Sequence, residues 1–464
     1  MMTEFHNHTF DDIVVGATET ATRTLSAAEV EALAMAAGEV DPYHLEGTNP
    51  ARGEALAAPG AAAIAMISGM LLRRLPGPGS RIVDTRFHYS GALGAGDTLT
   101  ATVTAKAKHA TRPEIDFECR CVNQRGETLV QGTATVVAPT MPVKYSNVAT
   151  PEVILRRNDG FAKLLGQCQG LAPISCAVVH PCDRDSLLGA IEAARRGLIV
   201  PVLIGPEAKI RAVAKAEGAD IAAYRIVATE HSTAAAECAV AMARAGKVEA
   251  LMKGSLHTDE LMAAVVPSAT GLRTARRVSH VFVMDVPTYP KLLLVTDAAV
   301  NIFPDLETKV DIVQNAIDLA RVLGIENPKV AILSAVETIN PKIQSTLDAA
   351  ALCKMADRGQ IYGGTLDGPL AFDNAISAEA ARTKNIVSPV AGHADILLVP
   401  DLEAGNMLAK QLIYLAGADA AGLVLGVRVP VILTSRADSL QVRLASVALA
   451  RLVAARSGAA KGPA

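Results

Sequence analysis

Apolar positions follow two different rhythms along this 464-residue chain. Between residues 25 and 38, Val30, Leu33, Ala34 and Ala37 recur at helical spacing. They stand behind Ser26, with Glu29 three residues on, the pairing in which each side chain caps the other's backbone amide. An Ala/Met/Ile run near 60–75 predicts a second helix, apolar on all sides and therefore buried. Four stretches then alternate with a period of two: 82–89, 98–108, 115–123 and 128–137. Gly96-Asp97 and Gly126 mark turns between them. One long apolar helix wrapped by an antiparallel sheet fits this order, an α+β unit.

Three prolines and small polar residues interrupt every period between 138 and 153, as a linker would. Beyond it, apolar runs at 174–179, 199–204, 248–252, 281–284, 292–295, 330–333, 396–399 and 423–433 alternate with helical stretches. That alternation predicts a doubly wound parallel α/β sheet, covered on both faces. About 310 residues is long for one such unit, so two lobes with a cleft between them are expected. The resulting plan is a domain over 1–138, a linker over 139–153, a second domain over 154–456 and a frayed tail over 457–464.

Composition narrows the function. The chain is 50% hydrophobic but 3% aromatic, with no Trp, and 20% charged. Intrinsic disorder is excluded, and too few aromatics remain for a base-stacking surface. A net charge of −3 leaves no basic half to neutralise a nucleic-acid backbone. The uncharged stretch 55–72 mimics a membrane span, but Pro59, Gly60, Gly69 and its many alanines mark a buried helix instead. Residues 1–12 are polar and carry acids, unlike a signal peptide. The seven cysteines are odd in number and scattered, which suits reduced thiols in a cytoplasmic protein, and no metal site is expected.

Open α/β sheets bind ligands beyond the carboxyl ends of their strands, where loops feed helix N-termini. Four such junctions carry polar groups. In the first, Ser435 and Arg436 follow the strand-like run 423–433, with Asp438 or Ser439 placed to cap the next helix. An arginine beside a hydroxyl at a helix start offers a two-pronged donor to a phosphoryl or carboxylate oxygen. In the second, Lys253, Gly254, Ser255 and His257 follow the run 248–252. In the third, Arg273, Arg276 and Arg277 precede the run 281–284. The fourth places Gly405-Asn406 at a helix start with Lys410 one turn on.

The succession MKGSLHTDEL (252–261), LRTARRVSHVFVMD (272–285), TDAAVNIFPDL (296–306), GPLAFDNAIS (368–377), VPDLEAGNMLAKQL (399–412) and VILTSRADS (431–439) resembles the phosphate acetyl/butyryltransferases over roughly 170–455. The resemblance implies a two-lobed α/β phosphotransacetylase-type domain, related to isocitrate dehydrogenase. It implies reversible transfer of a short acyl group, acetyl first and butyryl next, between coenzyme A and phosphate. Coenzyme A is then a substrate and no cofactor stays bound; acyl-CoA, acyl phosphate and inorganic phosphate are the partners. Ser435 and Arg436 match the family's Ser-Arg pair, which holds phosphate and stabilises the transition state. Arg273 matches an arginine that contacts the phosphoryl group, and Asn301, Asp373, Asn406 and Lys410 match cleft positions. Asp438 is the candidate base, although it stands closer to Ser-Arg than the family's aspartate. Asp297 is open between a site role and a structural one.

The segments LSAAEVEALAMAAGEVDPYHLE (25–46) and LGAGDTLTATVTAK (93–106) resemble the MaoC-like hydratases of the hot-dog fold, over roughly 8–138. In that family an Asp and a His five residues later activate water for addition to an enoyl thioester. Here Glu39 holds the Asp position and His44 the His position. Pro59 interrupts the start of the central helix, whose amides, Gly60 first, would polarise the thioester carbonyl. Hydration as the main activity, and a non-catalytic module that binds acyl-CoA and serves regulation or oligomerisation, are the alternatives to acyl transfer. Both families imply a homo-oligomer; neither implies nucleic acid or a membrane.

Overall fold

The computed structural model describes residues 5–39, 57–58, 60–146, 160–434 and 438–459. The chain divides into two compact units, Met1–Leu155 and Arg156–Ala464.

In the first unit the strands are β1 (Phe5–His6), β2 (Thr18–Thr24), β3 (Arg81–Tyr89), β4 (Thr98–Lys108), β5 (Glu114–Val122), β6 (Thr128–Val137) and β7 (Lys144–Tyr145). An antiparallel five-stranded sheet runs β2-β4-β5-β6-β3. Along β4 and β5 every second residue is buried, among them Leu99, Ala101, Val103, Ile115, Phe117 and Cys119. These pack with Ala62, Ala63, Ile67, Met70 and Leu71 of the helix Ala61–Arg73, which puts the unit's core between one helix and one sheet face. The preceding helix, Ala27–Ala37, carries the expected reciprocal cap between Ser26 and Glu29 and stops at Gly38, whose φ of 77° is left-handed.

Two differences from the sequence reading stand out here. Strand β2, TETATRT, has no apolar alternation; it is held to β4 by four cross-strand threonine hydroxyl pairs, Thr18–Thr104 to Thr24–Thr98, at 2.8–3.2 Å. Part of the expected linker is also structured. Strand β7 pairs antiparallel with β1, so the chain beyond residue 138 still belongs to the first unit, and the division falls at Leu155.

The second unit contains β8 (Ile174–Val179), β9 (Ile199–Gly205), β10 (Arg225–Ala228), β11 (Ala250–Lys253), β12 (Ser279–Asp285), β13 (Leu293–Thr296), β14 (Lys329–Leu333), β15 (Thr365–Leu370), β16 (Ile396–Leu398), β17 (Asp419–Leu425) and β18 (Val431–Ile432). They form one sheet of order β10-β9-β8-β11-β18-β17-β12-β13-β16-β14-β15. The expected parallel sheet is in fact mixed. The β10-to-β18 group is parallel and so is the β13-to-β15 group, but β17 and β12 lie antiparallel to each other and to their outer neighbours. The two lobes therefore share a continuous sheet. The run 423–433 is two strands, reversed at Gly426, where φ is 76° and a Cβ would lie 2.1 Å from the Arg277 carbonyl oxygen. Helix Leu440–Ala459 contributes Val442, Leu444, Ala445, Val447 and Ala448 to the core and continues past residue 457, where fraying was expected to begin. Among the described residues, no helix is long and apolar enough to cross a membrane.

Candidate active site

Strand β11 delivers Lys253, 7% exposed, to the carboxyl edge of the sheet. The chain then turns at Gly254, where a Cβ would lie 2.4 Å from the Val179 carbonyl oxygen and 2.7 Å from that of His180. The amides of Gly254 and Ser255 donate to those two oxygens at 2.9 and 2.8 Å. Only glycine fits such an approach, and the turn fixes where Lys253 stands. Gly254→Ala is expected to lower stability by about 1–3 kcal/mol through forced backbone displacement, read as a lower urea midpoint, and to reduce turnover. His257 caps the next helix, Thr258–Val265, and its amide donates to Glu260 at 3.0 Å.

Thr434, buried, follows β18. Its carbonyl oxygen accepts from Lys253 Nζ at 3.4 Å. Arg443, 4% exposed, donates to Thr434 Oγ1 at 3.2 Å and to the Asp438 carbonyl oxygen at 3.3 Å. One buried guanidinium thus ties the residues that flank positions 435–437. Ser435 and Arg436 themselves lie outside the described residues.

The third element is helix Leu402–Tyr414, capped by Asp401, which accepts from the Ala404 amide at 2.9 Å. A Cβ on Gly405 would lie 2.9 Å from the Asp297 carbonyl oxygen, so the helix start packs directly on the turn after β13. Asn406 donates to the Ala298 carbonyl oxygen at 3.3 Å, and Lys410 lies one turn further on.

These elements enclose a cavity of about 650 Å³, lined by Lys253, His257, Asn406, Lys410, Thr434 and Asp438 and floored by His280 and Phe282 of β12. Of the candidates named from sequence, Lys253, His257, Asn406, Lys410 and Asp438 meet there. Ser255, Arg273, Asn301 and Asp373 do not line it. The Ser255 hydroxyl bonds Asp183; burial pushes that carboxyl up, but hydrogen bonds from Ser186 and Ser255 outweigh it and leave it below its usual range. Arg273 is exposed, its backbone bridged to Val427. Asn301 is spent on the fold, its amide donating to Asp297 at 2.6 Å and to the Val278 carbonyl oxygen at 2.9 Å. Asp373 pairs with Lys384 at 3.3 Å. Asp297 is buried and accepts from the amides of Ala299, Val300 and Asn301, which gives it a structural task; burial pushes its pKa up despite these bonds. Sequence reasoning missed Arg443 and His280, polar residues inside otherwise apolar elements.

In the first unit, Glu39 is exposed just beyond the Gly38 cap, and its amide donates to the Ala34 carbonyl oxygen at 2.9 Å. Gly60 stands at the start of helix Ala61–Arg73, facing Tyr89. His44 and Pro59 lie outside the described residues. A groove of about 870 Å³ runs between helices Ala27–Ala37 and Ala61–Arg73.

Residues 227–451 match the family model described as phosphate acetyl/butaryl transferase. The phosphate acetyltransferase of Rhizobium meliloti is 65% identical over 301 residues, 65% of this chain and 95% of that one. The chain belongs to the phosphate acetyl/butyryltransferase family. Within this family, the phosphate butyryltransferase of Clostridium acetobutylicum is 44% identical over 60% of this chain and 92% of its own. A branched-chain phosphotransacylase from Enterococcus faecalis, of known structure, is 31% identical, with a TM-score of 0.52 over 60% of this chain and 99% of that one. The Streptococcus pyogenes phosphotransacetylase, 21% identical with a TM-score of 0.55 over 65% and 100%, shares the fold. The phosphate acetyl/butyryltransferase similarity thus lies in the second unit, where the cavity is. The acyltransferase needs no protein thiol as nucleophile if coenzyme A supplies one, and burial pushes the Cys176 thiol up to about 12 and that of Cys182 up to about 11.

Proposed function

We propose that this phosphate acyltransferase moves a short acyl group, acetyl in preference to butyryl, between coenzyme A and phosphate in the cavity of the second unit. The observation that carries this reading is the meeting of Lys253, His257, Asn406 and Lys410 with Thr434 and Asp438, the residues on either side of positions 435–437. In the acyl-CoA direction, the thiol of coenzyme A loses its proton to a base, and the thiolate attacks the carbonyl carbon of the acyl phosphate. The tetrahedral oxyanion collapses, the carbon–oxygen bond to phosphate breaks, and inorganic phosphate leaves. Lysines at a cavity wall suit the phosphate's charge, and Ser435 with Arg436 would hold it as charge develops. Asp438 is the proposed base for the thiol. Arg273, exposed and outside the cavity lining, is proposed to contact the phosphoryl group. Ser255 and Asn301 are proposed to act through the turns they hold, and Asp373 through its pairing with Lys384.

Residues 1–138 of the first unit are proposed as a MaoC-like hot-dog module, joined through 139–153, which include β7, to the acyltransferase over 154–456. A single buried helix against a five-stranded antiparallel sheet supports it. Glu39 in place of aspartate moves the carboxylate by about a bond length, and misplacement of about 1 Å can cost around a hundredfold. Binding of an acyl thioester is therefore the reading for this unit, with Glu39, His44 and the Gly60 amide as its polar groups. A homo-oligomer acting in the cytoplasm, where coenzyme A and acyl phosphates meet, completes the proposal.

A thiol-consumption assay with coenzyme A and acetyl, propionyl or butyryl phosphate tests the first reading. Thiol loss fastest with acetyl phosphate is expected; no loss with any of the three overturns it. The absorbance of crotonyl-CoA tests the second. It should stay constant with the full chain, and a fall would restore hydration.

A further inference from the structure

The floor of the cavity carries a polar group that no step above uses. Strand β12 runs through the middle of the mixed sheet, and its alternate residues His280 and Phe282 both face the cavity. His280 is 1% exposed, and its Nδ1 has no hydrogen-bond partner among the described residues. The ring stands edge-on to Phe282, centroids 4.4 Å apart at 78°. On the neighbouring strand a Cβ at Gly422 would lie 2.9 Å from His280 Nε2, so the imidazole occupies space that only a glycine leaves open. Burial pushes its pKa down to about 3, which keeps the ring neutral.

Buried polar atoms in native folds almost always find a partner, and an exception beside a ligand cavity is a candidate contact for the ligand. The partner's chemistry follows from the surroundings. Lys253 and Lys410 line the same cavity and suit the anionic phosphate. His280 is a neutral dipole among Phe282, Leu433 and Ala420, a setting that fits an uncharged carbonyl better than a phosphoryl oxygen. We propose that His280 is a catalytic residue of this site, donating a hydrogen bond from Nδ1 to the carbonyl oxygen of the acyl group. This rests on the acyltransfer reading and adds the donor that the developing oxyanion needs. A neutral donor strengthens its bond as negative charge grows on the oxygen, without itself changing protonation state.

Two variants and one spectrum test it. His280→Phe fills the ring's volume without a donor. His280→Asn sets an amide nitrogen near the position of Nδ1. With saturating coenzyme A, kcat/KM for acetyl phosphate should fall about 100-fold in His280→Phe and stay within about tenfold of the parent in His280→Asn. In the infrared, the carbonyl stretch of isotopically labelled acetyl phosphate bound without coenzyme A should shift to lower frequency in the parent enzyme, and the shift should vanish in His280→Phe. An unshifted carbonyl in the parent, equal losses in both variants, or a His280→Phe rate close to the parent's would each overturn the assignment. Should His280→Phe fail to fold, the parent spectrum and His280→Asn still decide. A parent enzyme that consumes no thiol would instead overturn the acyltransfer reading itself, which separates the two failures.

Discussion

Replacing Arg436 by alanine is expected to lower kcat for acyl transfer about 10²–10³-fold, while the KM for coenzyme A moves by less than about threefold. Ser435→Ala should behave alike, and the double variant should lose far less than the product of the two, because the pair acts on one developing charge. The physical ground is preorganisation. A donor aimed at a leaving phosphate helps only if it is already in place when the carbon–oxygen bond breaks. Arg443 provides the setting, since it is buried and bonds both the Thr434 hydroxyl and the Asp438 carbonyl, on either side of positions 435–437. Lys253 adds a bond to the Thr434 carbonyl oxygen. Steady-state rates with coenzyme A and acetyl phosphate varied in turn give the split. A rise in KM at constant kcat would mean that the pair binds ground and transition states equally, and the transition-state role would fall.

How much of this was readable from the chain depends on the kind of interaction. Apolar runs found β8, β9, β11, β12, β13, β14 and β16 because their burial is continuous, yet they did not report strand direction. Spacing did carry that signal. Only residues 286–292 separate β12 from β13, and only residues 426–430 separate β17 from β18. A parallel crossover needs a dozen residues or more, so both pairs had to be antiparallel hairpins. Strand β2 was invisible for the opposite reason: hydroxyl pairs hold it, and a threonine ladder has no hydrophobic period. At the site, residue type at a strand–helix junction predicted Lys253, His257, Asn406, Lys410 and Asp438 as candidates, and they share one cavity. The same reasoning could not see that Asn301 would turn to Asp297, or Asp373 to Lys384, because those partners lie 4 and 11 residues away in sequence and compete with ligand for the same hydrogen-bonding groups. His280 and Arg443 were passed over because a period of two or 3.6 assigns every position on an apolar face to the core.

Stability has its own concentrated term. Lys309, in helix Leu306–Val322, donates to Asp348 of helix Gln344–Asp357 at 2.6 Å, with side chains 6% and 7% exposed. Gln344 donates to the other carboxylate oxygen at 2.8 Å, so the acid is well satisfied. Taking two charges out of water is costly, and their attraction offsets this only while both are present. Asp348→Ala leaves a buried ammonium without its partner and is expected to cost about 3–5 kcal/mol, seen as a large fall in the urea midpoint of the full chain. Lys309→Met should cost a similar amount, because it strands the carboxylate. The double variant Lys309→Met/Asp348→Leu should recover most of the loss, since apolar side chains of similar volume need no charge compensation. Neither residue is among those lining the acyltransfer cavity, so the folded variants should keep the parent's kcat. If the double variant were as unstable as the sum of the singles, the pair would be contributing packing and the Gln344 bond rather than mutual charge compensation.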